Sequence, residues 1–334
     1  MKKTFNVAIL GAGHIAESMA AAVNGLGDDV CLYAIASRSL EKAQAFAKKW
    51  GVKVAYGSYE ELASDPDADL IYIATPHSEH FRNAKLCIGN GRNCLVEKAF
   101  CANVAQTEKL IQLAKENDVF LAEAMWTRYQ PSKDVIKKIL ESGKLGKLIE
   151  LEADFSINIR GTERLEKPEL CGGALLDLGV YSLTVPAMYF GNDIARIEAN
   201  CEKNEYGVDL TDFITLSYTD GRIARLKCSF GLPTSNYARI SGENGSIVFG
   251  PVNCPDYYEL FDREGNLIEK KAVPHMINGY EYEILESKAA IEDGKKETAS
   301  MPLSETKLIM GRMDSIRKQL GVVYPADKSN ISDD

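Results

Sequence analysis

Through the first 124 residues, short apolar blocks alternate with stretches of helical spacing. Val7-Ala8-Ile9-Leu10 reads as a buried strand. It runs into Gly11-Ala12-Gly13-His14-Ile15-Ala16 and then into the helix-forming residues 17–22. Further strands are expected at 30–36, 52–56, 69–74, 93–97 and 119–123. Helices are expected at 40–50, opened by Ser39 and stopped by Gly51, and after the capping box Ser58-Tyr59-Glu60-Glu61. Two more fit 79–88, capped by Ser78, and 104–117, capped by Asn103. Strands without polar alternation, each followed by a helix, predict a doubly wound parallel sheet over 1–124.

From 125 onward the pattern changes. A helix is expected at 132–142, a long alternating strand at 147–159 and an almost wholly apolar helix at 173–190. Strands follow at 195–201, 212–218, 223–230, 238–241, 246–249, 257–261 and 267–272, with Asp220-Gly221 as one hairpin turn. Helices at 281–292 and 304–320 close the chain. This predicts an α+β domain over 125–325 with an open, mostly antiparallel sheet, then a polar, frayed tail at 326–334. A broad sheet with one bare face predicts a homodimer or higher homo-oligomer through that sheet.

Length agrees with two domains, since single cores stop growing at roughly 250–300 residues. Net charge is −9, which gives nucleic-acid binding no electrostatic support. The eight cysteines form no C-x-x-C pair and suit neither zinc nor a disulfide framework, so they read as reduced residues of a cytoplasmic protein. No His/Asp/Glu cluster has metal-ligand spacing, so no metal is expected. Met1-Lys2-Lys3 and the apolar residues after it mimic a secretion signal, but Gly11-Ala12-Gly13-His14 ends the run too soon. The apolar stretch 171–190 contains Asp177, glycines and Pro186, so no membrane span is expected.

In a parallel doubly wound sheet, ligands sit beyond the carboxyl ends of the strands. The first end fits G-x-G-x-x-G/A: Gly11 for the turn, Gly13 for close approach of a diphosphate, Ala16 for helix packing. The backbone N–H groups at His14 and Ile15 open the helix toward the anion. The second strand ends in Ser37-Arg38 rather than in an acid, which suits the 2′-phosphate of NADP; the alternative is a solvated surface arginine. Thr75, Pro76 and His77 end the fourth strand, where His77 either meets the nicotinamide side of the cofactor or is a turn histidine. Glu97 and Lys98 end the fifth, facing either the cofactor or solvent. His80, one turn into the next helix, reads as structural.

Asp177 is the one charged residue of 171–190, and Tyr181 lies four residues on, on the same helical face. A carboxylate in such a helix requires a partner, for which Lys98 is the candidate. Trp126, Arg128 and Tyr129, at the crossing between domains, either wall a substrate pocket or pack an interface. Arg160 faces either that pocket or solvent. No G-x-S-x-G elbow supports a hydrolase.

Together, the opening glycine turn, Val96-Glu97-Lys98 and 172–181 (Gly-Gly-Ala-Leu-Leu-Asp-Leu-Gly-Val-Tyr) resemble the glucose–fructose oxidoreductase/inositol dehydrogenase (Gfo/Idh/MocA) family. Residues 123–129 and Tyr181 are most similar to its dimeric dihydrodiol dehydrogenase branch, which includes NADP-dependent D-xylose dehydrogenases. The resemblance spans about 4–320. It implies a Rossmann domain, a C-terminal open sheet, and hydride transfer between a nicotinamide and a cyclic polyol, aldose or trans-dihydrodiol. It also implies roles for Lys98, Asp177 and Tyr181, with Tyr181 as proton-transfer residue. A phenol of pKa ~10 fits that role when an ammonium such as that of Lys98 favours the phenolate. Many members carry histidine where Tyr181 stands and proline where Ala99 stands. The alternatives are an inositol or amino sugar as substrate, or a non-catalytic NADP-binding regulator.

Overall fold

The computed structural model describes residues 4–328; Met1-Lys2-Lys3 and the tail from 329 on lie outside them. The described residues divide into two compact units, 4–125 with Met276–Met310 and Lys328, and Trp126–His275 with Gly311–Asp327.

The first unit opens with β1 (Phe5–Leu10), α1 (His14–Gly25), β2 (Val30–Ala36), α2 (Leu40–Trp50), β3 (Val54–Tyr56) and α3 (Tyr59–Ala63). Next come β4 (Leu70–Ile73), α4 (His77–Gly89), β5 (Cys94–Glu97), α5 (Val104–Glu116) and β6 (Leu121–Ala124). The six strands form one parallel sheet in the order β3-β2-β1-β4-β5-β6. The order reverses between β1 and β4, which puts the ligand crevice at their carboxyl ends. The expected caps are present: Ser39 accepts from Lys42 N, Asn103 from Gln106 N, and Ser58 and Glu61 form the reciprocal capping box. By contrast, α4 begins at His77, with Pro76 rather than Ser78 at its N-cap.

The second unit is built on β7 (Leu148–Ser156), preceded by α6 (Pro131–Glu141) and followed by the short α7 (Glu163–Glu166). The apolar run then begins as a π-helical turn, Leu175–Gly179, and continues as α8 (Val180–Tyr189). Strands β8 (Ile194–Lys203), β9 (Asp209–Tyr218), β10 (Ile223–Ser229), β11 (Ser235–Gly242), β12 (Gly245–Gly250), β13 (Tyr257–Asp262) and β14 (Leu267–Ala272) complete an eight-stranded sheet. All neighbours are antiparallel except β7 and β10. Leu151, Ala153, Phe155, Leu216, Leu226 and Ile240 are buried on one face, against which α8 packs. The opposite face carries the ion pairs Arg225–Glu150 (2.7 Å) and Lys227–Asp154 (2.6 Å), with Phe213 half exposed beside them. Pro168–Tyr189 is apolar enough to cross a membrane by composition, but 94% of its most apolar window is buried in the protein.

The division differs from the contiguous one expected. Helix α9 (Glu281–Glu292) belongs to the first unit, where Ile284 and Ala290 join the core formed by Val7, Ile9, Leu70 and Tyr72. The last helix, α10 (Leu303–Leu320), is divided between the units at Met310. Nor is the tail loose from 326: Asp327 is bound by Arg317 at 2.6 Å and accepts Tyr324 N–H at 2.8 Å.

Candidate functional site

At the end of β1, Gly11 takes φ +109° and donates its N–H to Ala36 O at 2.9 Å. A Cβ there would stand 2.8 Å from Ala74 O, so the chain passes too close to the end of β4 for any side chain. Gly13 is different. It is the extended N-cap of α1, no side chain caps the helix, and a Cβ would meet nothing closer than Ala74 O at 4.0 Å. The free N–H groups at His14 and Ile15 and the dipole of a 12-residue helix therefore open beside a glycine with room around it. Ala16 is fully buried, as helix–strand packing demands. These features fit a dinucleotide diphosphate.

Ser37 ends β2, buried, with its N–H on Tyr56 O. Arg38 is exposed and lines a cleft with Tyr59, Glu60, Glu79, Arg82 and Lys85. Burial raises the pKa of the half-buried Tyr59 phenol, and the charge of Arg38 opposes the rise. Sequence reading missed Tyr59, Arg82 and Lys85; the only signal for Tyr59 is its place in a capping box.

Thr75 and His77 are buried at the end of β4, and Asn83 donates to Thr75 Oγ1 at 3.1 Å. His77 packs edge-on against His80, 5.6 Å between ring centroids. His80 is fully buried: Nδ1 lies 2.9 Å from Ala99 O and Nε2 2.7 Å from Thr75 O. It thereby ties the residue after Lys98 to the end of β4. Burial pushes its pKa down to about 4, against the pull of the two carbonyls. Glu97 is turned inward: its carboxylate accepts the Tyr72 hydroxyl and the Lys98 N–H. It shapes the strand end more than it faces a ligand. Lys98 is part-buried, and the Lys98–Ala99 peptide is cis.

In the second unit, Asp177 and Tyr181 are both buried, Asp177 in the π-helical turn and Tyr181 in the first turn of α8. Tyr181 packs on Phe155 of β7 at 5.5 Å between centroids. Asp177 pairs with Arg164 of α7 at 3.6 Å, a partner no sequence pattern marked. Trp126 and Arg128 form a 3₁₀ turn, Trp126–Arg128, and both are part-buried. That turn is fixed by Thr127 Oγ1 donating to Asn253 O and by Gln130 Nε2 on Trp126 O at 3.0 Å. Tyr129 is buried. Arg160 is about half exposed and lies 3.5 Å from Glu166, an arrangement closer to the solvent reading than to the pocket reading.

Two family models match the chain: an oxidoreductase family with an NAD-binding Rossmann fold (GFO_IDH_MocA) over residues 5–125, and the GFO/IDH/MocA C-terminal domain over residues 134–248. The chain is 34% identical over 303 residues to the trans-1,2-dihydrobenzene-1,2-diol dehydrogenase of Homo sapiens, covering 88% of this chain and 90% of that one. The Danio rerio enzyme of the same name is 34% identical over 96% of this chain and 98% of its own. Among solved structures, a 3-ketoreductase from Actinomadura kijaniata in complex with NADP superposes with TM-score 0.85 at 21% identity, covering 95% and 98%. An aldose-aldose oxidoreductase from Caulobacter crescentus also gives 0.85, at 20% identity over 96% and 98%.

Proposed function

Because the chain belongs to the GFO/IDH/MocA oxidoreductase family, we propose that it is an NADP-dependent dehydrogenase acting on a trans-dihydrodiol, a cyclic polyol or an aldose. The observation that carries the substrate class is the 34% identity to trans-dihydrobenzenediol dehydrogenases over most of both chains. The cofactor preference rests on the end of β2, where Arg38, Arg82 and Lys85 line one cleft and no acid stands on the strand end to hold a ribose 2′-hydroxyl.

A bound nicotinamide would supply the acceptor for the hydride of the alcohol carbon. The chain's own residues have the proton to manage. Tyr181 takes the hydroxyl proton as the carbonyl forms and returns it in reduction. Lys98 hydrogen-bonds the reacting oxygen and stabilises negative charge on it. Asp177, paired with Arg164, accepts from neighbouring substrate hydroxyls. Trp126, Arg128 and Tyr129 bound the substrate, with aromatic faces suited to a diol ring. His14, Ile15, Thr75, Pro76 and His77 belong to the cofactor's side, as does Ser37.

The test is reduced-nicotinamide absorbance with NADP and NAD across a panel of trans-dihydrodiols, polyols and aldoses. Tyr181→Phe and Lys98→Ala are each expected to lower kcat at least about a hundredfold while leaving NADPH binding within about threefold. Near-normal turnover in either variant removes its assigned role. NADPH binding with no turnover across the panel supports a non-catalytic regulator. The reading includes a cytoplasmic protein, in keeping with eight free cysteines, and a homodimer or larger through the open face around Phe213. Sedimentation as a monomer at micromolar concentration refutes the oligomer.

A further inference from the structure

Beneath the turn that carries Asp177 lie two buried carboxyls, Asp209 and Asp212 of β9, both fully inaccessible. Asp209 Oδ2 accepts the Leu175 N–H at 2.7 Å, at the entry to the π-helical turn. Asp212 Oδ2 is 3.2 Å from Cys228 Sγ, and a Cβ on Gly179, at the exit of the turn, would stand 3.0 Å from that sulfur. The two carboxyls lie three residues apart on β9, and Oδ1 of each meets no donor among the described residues.

The glycines of the motif serve this arrangement. A Cβ on Gly173 (φ +132°) would collide with Asp209 Oδ1, and one on Gly172 with the Leu165 backbone. Gly172 O in turn accepts the Tyr324 hydroxyl at 2.7 Å. The other ionisable groups around the pair are Cys201, Cys228 and Cys171, Tyr324, and Arg317, which is itself bound to Asp314 and Asp327. Burial and the charge of Asp209 hold Asp212 well above the usual carboxylate range; Asp209 is raised by burial but drawn back by the Leu175 N–H and Arg317.

We propose that Asp209 is a positioning residue: its buried carboxyl caps Leu175 and fixes the π-helical turn that aims Asp177 and Tyr181. The inference rests on the catalytic reading of those two residues. It is tested by amide hydrogen exchange at Leu175 together with steady-state kinetics of the full-length protein. Asp209→Asn is expected to speed Leu175 exchange and lower kcat at least about tenfold, with KM for NADPH within about twofold. Asp212→Asn leaves the Asp209 carboxyl on Leu175 in place and is expected to preserve Leu175 protection and to hold kcat within about threefold. Unchanged exchange in Asp209→Asn overturns the proposal, as does a fall in melting temperature with normal kcat, which is the mark of a purely structural role. Should Asp209→Asn fail to fold, Asp212→Asn decides alone: loss of Leu175 protection there overturns the assignment. Exchange needs no turnover, so it reads the cap even where Tyr181→Phe proves the catalytic reading wrong.

Discussion

Gly11 and Gly13 look equivalent in the sequence, yet the structure gives them separable duties, and alanine at each should fail in a different assay. At Gly11 an L-residue must adopt φ +109°, outside even the left-handed helical well, with its Cβ 2.8 Å from a backbone oxygen that only a strand shift can move. Strain of that kind costs on the order of 1–3 kcal/mol, and relief of the Ala74 contact adds to it. About 3 kcal/mol corresponds to a melting-temperature loss of roughly 10 °C in a unit of this size. At Gly13 the backbone is ordinary extended chain (φ −95°, ψ −172°) and the nearest atom to a Cβ is 4.0 Å away. Alanine there is expected to leave stability unchanged or to raise it by about 0.5 kcal/mol through the unfolded chain. Its methyl instead occupies the approach to the α1 N–H groups, so NADPH should bind at least about tenfold more weakly, or about 1.4 kcal/mol. Thermal unfolding without ligand and NADPH titration by calorimetry measure the two quantities independently. If Gly13→Ala melts as early as Gly11→Ala while its Kd is unchanged, this turn is structural and not a diphosphate site.

Arg38→Ala should raise KM for NADP by about ten- to a hundredfold, the worth of one or two charge-assisted bonds to phosphate, and leave KM for NAD nearly unchanged; equal effects on both cofactors refute the 2′-phosphate assignment. His80 gives a pH signature. Its folded pKa of about 4 lies below the unfolded ~6.5, so the unfolded chain binds the proton first and stability is lost as pH falls between those values. The loss is about 3 kcal/mol, complete near pH 4 and absent above about 6.5. Urea unfolding of the unmodified protein and of His80→Gln at pH 7 and pH 4.5 checks it; parallel slopes in the two proteins refute the assignment.

What the sequence made legible follows from how local each signal is. The glycine turn, the helix caps and the parallel strands are written in residues within a few positions of one another, and each but the cap of α4 is found where the pattern puts it. The unit to which helix α9 belongs is not legible, although the helix itself is. Its amphipathic pattern says that one face is buried, but not that Ile284 and Ala290 pack on a sheet whose strands ended some 160 residues earlier. The π-helical turn is invisible for another reason: where every position of 175–180 except Asp177 and Gly179 is apolar, one extra residue in a turn changes no polar–apolar register. His80 read as structural on its helical position alone. Only the fold reveals that both ring nitrogens meet carbonyls from the two strand ends that frame Lys98.

The least legible feature alters the chemistry most. A single carboxylate in an apolar helix demands a counter-ion, and from the chain alone Lys98 is the economical choice. The structure shows a partner that the pattern did not mark, Arg164, thirteen residues upstream, with its guanidinium about half exposed and 3.6 Å from Asp177. An ion pair that open to solvent is worth at most about 1 kcal/mol. It gives Asp177 a partner within its own unit. In the proposed reaction Lys98 acts at the reacting oxygen. The two functions separate in variants: Lys98→Ala should fall in kcat without losing melting temperature, whereas a counter-ion removed from a buried carboxylate would cost several kcal/mol in the fold itself. A Lys98→Ala protein that turns over normally but unfolds early would give Lys98 the counter-ion role and leave the reacting oxygen to Tyr181 alone.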